Sequence, residues 1–461
     1  MAQPAEAAGA AASVDEDIKE YKIHASSKYL DFTRQKLELA RLPREVPDAN
    51  SRAWWDPKPA LEPLIDYWLE HFTWREHEKE INASVPQFRI SIQTSATEGP
   101  TRMHFIHARS RHPDAVPLLL IPPFPFSNLS FRHITDTFTD PADANTNQPF
   151  HLVMPSLPGL GFSDSLPKNV QVVSKTSEML DILMRRLGYR HYLATNSGSS
   201  ITPQGGIDWK ILTHLAANHL DSCLGVHLVS PPLQAPKALK SPVEWLKLTL
   251  AKALQTPILG YTKEDVAALQ KNNPERARIS TTDTASSFGI GAYDPNTLAY
   301  ALCDSPTGLL VFFLAIVRIL GSEKEFTSLE LVTMTKLTWL PGPEGTLRLL
   351  ADNHLSVRDD AEPKSARKPK ASITVFLADD VAIQNGSISA RDGVSPPSVS
   401  PYVCPSWAKQ HYEVVSTARV EGKQGLLAWE RPQVIADGVS NLAKALLAVD
   451  KRLYGAGNRT A

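Results

Sequence analysis

Cysteine is nearly absent: the 461 residues include three, Cys223, Cys303 and Cys404, far apart and with no CxxC pair. An odd, scattered set does not make a disulfide framework. With no histidine at ligand spacing it does not make a structural zinc site either. No single sign of charge prevails, since 48 basic face 49 acidic residues for a net charge of -1. Nucleic acid is therefore not an expected partner. Long apolar runs are missing too. The nearest approach, Gly308 to Leu320, is interrupted by Arg318, so no membrane span is expected. The first 17 residues are Ala-rich and acidic, without the basic and apolar regions of a secretory signal. These absences together predict a soluble, cytoplasmic protein.

The rest is ordinary globular composition, 42% hydrophobic and 21% charged, with length for two to four domains at about 150 residues each. Proline outnumbers glycine, 36 to 23, which suits a loop-rich α/β protein better than a helical bundle. Residues 1–17 read as a disordered tail. The alternating segment Tyr21–Ser26 predicts a short strand, and Ser26 or Ser27 then offers an N-cap to a helix running to about Arg41. Helices are predicted over Leu61–His71 and from Trp74. The aromatic stripe Trp68, Phe72 and Trp74 suits packing onto a neighbouring domain. Residues 87–95 and 102–110 alternate around a Glu-Gly-Pro turn and predict a hairpin.

Continuous apolar runs follow at 117–121, 150–154, 191–195 and 225–229, each leading into a loop, with helices between them. Such runs suit parallel strands buried on both faces, and the alternation predicts a doubly wound sheet. Residues 236–365 read instead as successive helices, after which 372–377 restores a strand and 431–455 closes with an amphipathic helix. No internal repeat of 20–50 residues is visible.

The segments Leu39–Asp48, Ile65–Trp68 with the following WRE, IN and PQF blocks, HFIHARS, FHLVMPSLPGLGFSD, NTLAYALCDSPTGLL and LLAWERPQVI together resemble the microsomal-type epoxide hydrolase family. The resemblance implies an α/β-hydrolase fold: a doubly wound, mostly parallel sheet with an N-terminal meander and a helical cap. It divides the chain into an N-terminal meander at 18–109, core at 110–235 and 366–461, and a cap at 236–365. It implies no metal or organic cofactor, and as partner a small apolar epoxide or related metabolite. A homo-oligomer is left open.

The family's chemistry needs a carboxylate on a strand-to-helix elbow, which attacks an epoxide carbon to give an alkyl ester. A histidine oriented by a second acid then activates water against that ester, and backbone amides hold the oxyanion. The oxyanion loop corresponds to residues 122–127, where Phe124 can offer an amide and Pro125 is kept, while Pro123 and Phe126 replace glycines. At the elbow, matching forward from the strand puts Gly198 at the nucleophile, and matching backward puts Gly206 there. The nearby carboxylate is Asp208, read either as the nucleophile or as the N-cap of a helix beginning at Trp209. Ser197 and Ser199 lack a GxSxG setting. Asp379, or its neighbour Asp380, takes the place of the orienting acid, with a turn-forming role as the alternative. Gly425 stands where the base belongs, and the nearest other histidine is His411. Ser287 and Leu350 occupy the positions of the cap tyrosines, with Tyr293 a displaced substitute. Two readings follow: an epoxide-hydrolase-like enzyme acting through Asp208, and an inactive homologue that binds an apolar small molecule or a protein.

Overall fold

The apolar runs become the middle of a sheet because they carry few side chains that need water. In the computed structural model of the chain, the described residues are 18–44, 57–95, 98–144, 146–167, 170–198, 206–239, 241–271, 294–355, 367–377 and 402–453. The predicted tail at 1–17, together with Ser199, Ser287, Tyr293, Asp379 and Asp380, lies outside them.

The strands are β1 Lys19–Glu20, β2 Gln87–Ile92, β3 Thr101–Ala108, β4 Val116–Ile121, β5 Phe150–Pro155, β6 Tyr192–Asn196, β7 Cys223–Val229, β8 Lys370–Leu377 and β9 Glu413–Glu421. They form one nine-stranded sheet in the order β1-β2-β3-β5-β4-β6-β7-β8-β9. From β5 to β9 every pairing is parallel, whereas β1, β2 and β3 join antiparallel. Every residue of β4, β5, β6 and β7 is buried, as parallel strands covered on both faces must be.

Helix α1 (Ser27–Glu38) starts after Ser26 as expected, and α2 (Lys58–Glu70) and α3 (Trp74–Ser84) follow. The predicted strand at Tyr21–Ser26 does not form. The paired residues are Lys19 and Glu20, while the Ile23 amide bonds instead to the Asn82 side chain at 2.8 Å. A long-range donor–acceptor pair with Asn82 of α3 takes the place of strand pairing at Ile23. β9, by contrast, gave little signal in the sequence, because its side chains are only half-buried at the sheet edge.

Helices α4 (Thr135–Thr139), α5 (Val172–Arg186) and α6 (Ile207–Asn218) alternate with the core strands. The helical region expected after residue 236 comprises α7 (Pro242–Leu254), α8 (Lys263–Lys271), α9 (Pro295–Asp304), α10 (Pro306–Ile319), α11 (Ser328–Trp339) and α12 (Glu344–Leu355). It docks on the N-terminal helices through a buried polar knot: Lys336 Nζ and Trp339 Nε1 donate to Thr33 Oγ1 at 2.7 and 3.0 Å, with Lys336 also 6.0 Å from the Trp68 ring. Burial there lowers the Lys336 ammonium to about 7, since no carboxylate compensates its desolvation.

The four-residue helix α13 (Leu427–Glu430) and the sixteen-residue helix α14 (Pro432–Leu447) follow β9. α14 can lie flat on the sheet because Gly438 has no side chain: a Cβ there would stand 2.1 Å from His227 Nε2. His227 is fixed between Thr195 Oγ1 (3.0 Å) and Thr374 Oγ1 (2.9 Å), and burial drives its pKa to about 3. It is a neutral core histidine.

Candidate active site

In a parallel sheet the loops that follow the strands gather at one edge. β4 and β6 are neighbours, with Ile121 opposite Asn196, so Pro122–Ser127 and the segment after Asn196 emerge side by side. β7 ends beside β8, which pairs with β9 from Lys370 opposite Glu413 to Leu377 opposite Glu421, with a register shift between Ala371 and Ser372. The loop holding Gly425 follows β9. Asp379 comes two residues after Leu377 in the sequence and is outside the described residues.

Asp208 is not a helix cap. α6 begins at Ile207 with Gly206 as its N-cap, so Asp208 is the second helical residue. Its side chain is buried, at 1% exposure, instead of facing solvent. The reading of Asp208 as an N-cap placed the helix start two residues late, because Ile207 carries no starting signal of its own. Asn196 Nδ2 donates to Asp208 Oδ2 at 3.0 Å. Among the described residues Asp208 Oδ1, Asn196 Oδ1 and the Ser197 hydroxyl are buried without hydrogen-bond partners. Three such polar atoms, on the adjacent Asn196 and Ser197 and on Asp208, are costly unless something else binds there. Burial pushes the Asp208 carboxyl up to about 7, against the opposing pull of Asn196 and the first-turn amides. A carboxylate so poorly solvated is more nucleophilic than one in water, and near neutral pH about half of it is ionised. Among the described residues no histidine bonds to it.

Gly198, the forward match to the nucleophile, has φ of +74°, and a Cβ there would lie 2.5 Å from Val229 Cβ. The elbow therefore leaves no room for a side chain at that position. Gly206, the backward match, is spent on the helix start.

The base position is closed in a similar way. Gly425 has φ of +56°, and a Cβ would meet Glu430 Oε2 at 2.3 Å. Glu430 is held there by its other oxygen, which accepts from Ser322 Oγ (2.7 Å) and from the amides of Glu323 (3.0 Å), Leu426 (3.3 Å) and Lys324 (3.4 Å). This carboxylate bridges the loop after α10 to the base loop. The sequence contained Glu430 within the LLAWERPQVI motif, but nothing in it disclosed the bridge, which joins residues more than a hundred positions apart.

In the oxyanion loop Phe124 and Phe126 are buried. Among the described residues the Phe124 amide donates to no backbone carbonyl, which leaves it available to an oxyanion. Phe126 fills the space its family glycine would leave open, with ring centroids 4.8 Å from Trp429 and 5.7 Å from Phe313. Residues 122–127, α13 and α10 are thus joined by one aromatic cluster. Leu350, at a tyrosine position, is buried in α12, and α12 leans on α6, where Lys210 Nζ reaches the Asn353 carbonyl at 2.5 Å. Among the described residues no cluster of three or more His, Cys, Asp or Glu could hold a metal ion.

Residues 18–131 match the family described as "Epoxide hydrolase N terminus". A "Putative epoxide hydrolase" of Stigmatella aurantiaca is 30% identical over 299 residues, covering 63% of this chain and 58% of that protein. This chain thus spans less than two thirds of that relative's length. "Epoxide hydrolase 1" of Sus scrofa is 28% identical over 352 residues, covering 72% and 71%. Among solved structures, the epoxide hydrolase of Aspergillus niger superposes with a TM-score of 0.67 at 20% identity, covering 95% of this chain and 97% of that one. The juvenile hormone epoxide hydrolase of Bombyx mori gives 0.72 at 20% identity, covering 94% and 96%. At such identity these two likenesses establish the α/β-hydrolase fold.

Proposed function

We propose that the chain, whose residues 18–131 match the epoxide hydrolase N-terminal family and which resembles epoxide hydrolases at 28–30% identity, acts as an epoxide hydrolase and opens a small apolar epoxide with Asp208 as nucleophile. The carrying observation is the buried, under-partnered carboxylate beside two further orphaned polar atoms at the C-terminal edge of the sheet. In the first step an ionised Asp208 oxygen attacks an epoxide carbon. A carbon–oxygen ester bond forms, the ring carbon–oxygen bond breaks, and the departing oxygen takes a proton to become a hydroxyl. In the second step water adds to the ester carbonyl, the oxyanion lies near the Phe124 amide, and collapse releases a diol and restores the carboxylate.

General-base assistance is commonly worth about 10²–10⁴-fold. With glycine at 425 and no described histidine bonded to Asp208, the ester step is the slow one, and Asp379 is the remaining acid for the orienting role. Incubation with an excess of a reactive apolar epoxide, followed by intact-protein mass spectrometry, tests the reading. A single adduct that peptide mapping places on Asp208, or diol release that Asp208→Asn abolishes, supports it. A folded protein that neither forms an adduct nor releases diol with a panel of epoxides refutes it and leaves a binding protein.

A further inference from the structure

Among the described residues Asn196 supplies the one side-chain hydrogen bond that Asp208 receives. It ends β6, opposite Ile121 of β4, and is as deeply buried as Asp208 itself. Its Nδ2 faces Asp208 Oδ2 at 3.0 Å. The reverse orientation would set a carboxamide oxygen against a carboxylate oxygen, two acceptors with no proton between them.

The backbone beneath Asn196 is anchored from the middle of the sheet. Thr195 Oγ1 donates to the Asn196 carbonyl at 3.2 Å. That bond spends the hydroxyl's one proton, so Thr195 Oγ1 accepts from His227 Nδ1 at 3.0 Å. His227 Nε2 is then the ring's acceptor and takes the Thr374 hydroxyl proton at 2.9 Å. Donation thus runs one way, from β8 through β7 and β6 to Asn196.

With Oδ2 occupied, Oδ1 is the Asp208 oxygen left without a partner among the described residues, its lone pairs open to a carbon. Alkylation at Oδ1 turns Oδ2 into the ester carbonyl oxygen, with the Asn196 N–H still on it. Water adding to Cγ then puts negative charge on Oδ2, where a donor already at hydrogen-bond distance stabilises it. Collapse expels the Oδ1 alkoxide, which takes the proton that water gave up and leaves as the diol. The carboxylic acid left behind ionises, returning the proton that ring opening consumed.

No charged group shares this task. Of the titratable side chains on the elements packed against α6, Lys175 pairs with Glu98, and Asp181 with Tyr192 and His219. His227 is held by its two threonines, and Lys210 reaches the Asn353 carbonyl. Burial keeps the Cys223 thiol and the Asp352 carboxyl towards their neutral forms. Besides burial, only Asn196 and the amides of residues 208 and 209 act on the Asp208 carboxyl.

On the reading of Asp208 as nucleophile, we propose that Asn196 serves both half-reactions: its amide holds Oδ2 so that Oδ1 attacks, then donates to the oxyanion on Oδ2 as water opens the ester.

The test follows adduct formation by 1,2-epoxyhexane on the full chain, by intact mass between pH 5 and 9. The wild type is compared with Asn196→Ala and Asn196→Leu, one smaller and one larger apolar variant. Losing a hydrogen bond to the charged form should raise the midpoint of alkylation from near 7 by about one unit or more. The rate then falls about tenfold at pH 6 and little at pH 9. Once free epoxide is removed, the variants' adduct should last about a hundredfold longer, the cost of one oxyanion donor. A midpoint that stays near 7 in both variants, even with a rate lowered equally at every pH, overturns the proposal, because a merely structural residue behaves that way. So does an adduct that lasts as long in the wild type as in the variants. A folded wild type that forms no adduct on Asp208 overturns the nucleophile reading itself, and this proposal with it.

Discussion

Asp208, in the first turn of α6, and Glu430, the last residue of α13, follow strands of the same sheet and are treated in opposite ways. Glu430 is half-buried and its Oε1 accepts from four donors, which ties the cap to the base loop. Asp208 is wholly buried, receives one side-chain hydrogen bond and the pull of the Asp208 and Trp209 amides, and among the described residues leaves Oδ1 without a partner. A well-supplied carboxylate is a structural clamp, and removing it exposes its donors. A buried one with fewer donors costs stability. That contrast separates the carboxylate proposed for chemistry from the one that holds the site shut.

The contrast breaks most visibly at Asp208→Asn. This change should reduce epoxide adduct formation to background, as read by intact mass, while the protein stays folded. Its effect on stability should depend on pH. The folded pKa of about 7 lies above the ordinary 3.8. Protonated Asp208 therefore contributes its full stability below about pH 4, and the contribution is lost as pH rises through 7. The Asn protein should gain on the wild type between pH 4 and 8 by a few kcal/mol, in order of magnitude, as followed by urea denaturation.

Gly425→His is the natural attempt to restore a base, and it should fail. The new Cβ would need φ of +56° and the space of Glu430 Oε2. A stability loss of about 2–4 kcal/mol is expected from the strained backbone and the displaced carboxylate. No rise in diol release should accompany it, by chromatography of the products. Rapid turnover would show that the loop relaxes more easily than its hydrogen bonds suggest.

Glu430→Ala sharpens the other side of the comparison. It should cost about 1–3 kcal/mol, since its four donors can partly turn to water, and it should leave the site of alkylation at Asp208 unchanged in peptide maps. Leu350→Tyr should cost about 1–3 kcal/mol by overpacking a buried helix face, measured as a lowered thermal midpoint.

The core strands were legible in the sequence because burial on both faces writes itself as an unbroken apolar run. The edge strand β9 was not, because half-buried side chains leave only a weak pattern. Asp208 could be singled out by type and position, but its starvation of partners could not. That property arises from Asn196 at the end of β6 and from a helix that starts at Ile207. The closure of positions 198 and 425 was similarly out of reach. Glycine in a sequence says only that a side chain is missing, whereas Val229 and Glu430 show that none would fit.

The pH dependence of alkylation tests the central claim most directly. The rate of single-adduct formation at Asp208, measured by intact mass between pH 5 and 9, should rise with pH and level off with a midpoint near 7, because only the ionised carboxylate attacks. A midpoint near 4, the range of an ordinary solvated carboxylate, would contradict the account, and so would alkylation at the same rate in the Asp208→Asn protein.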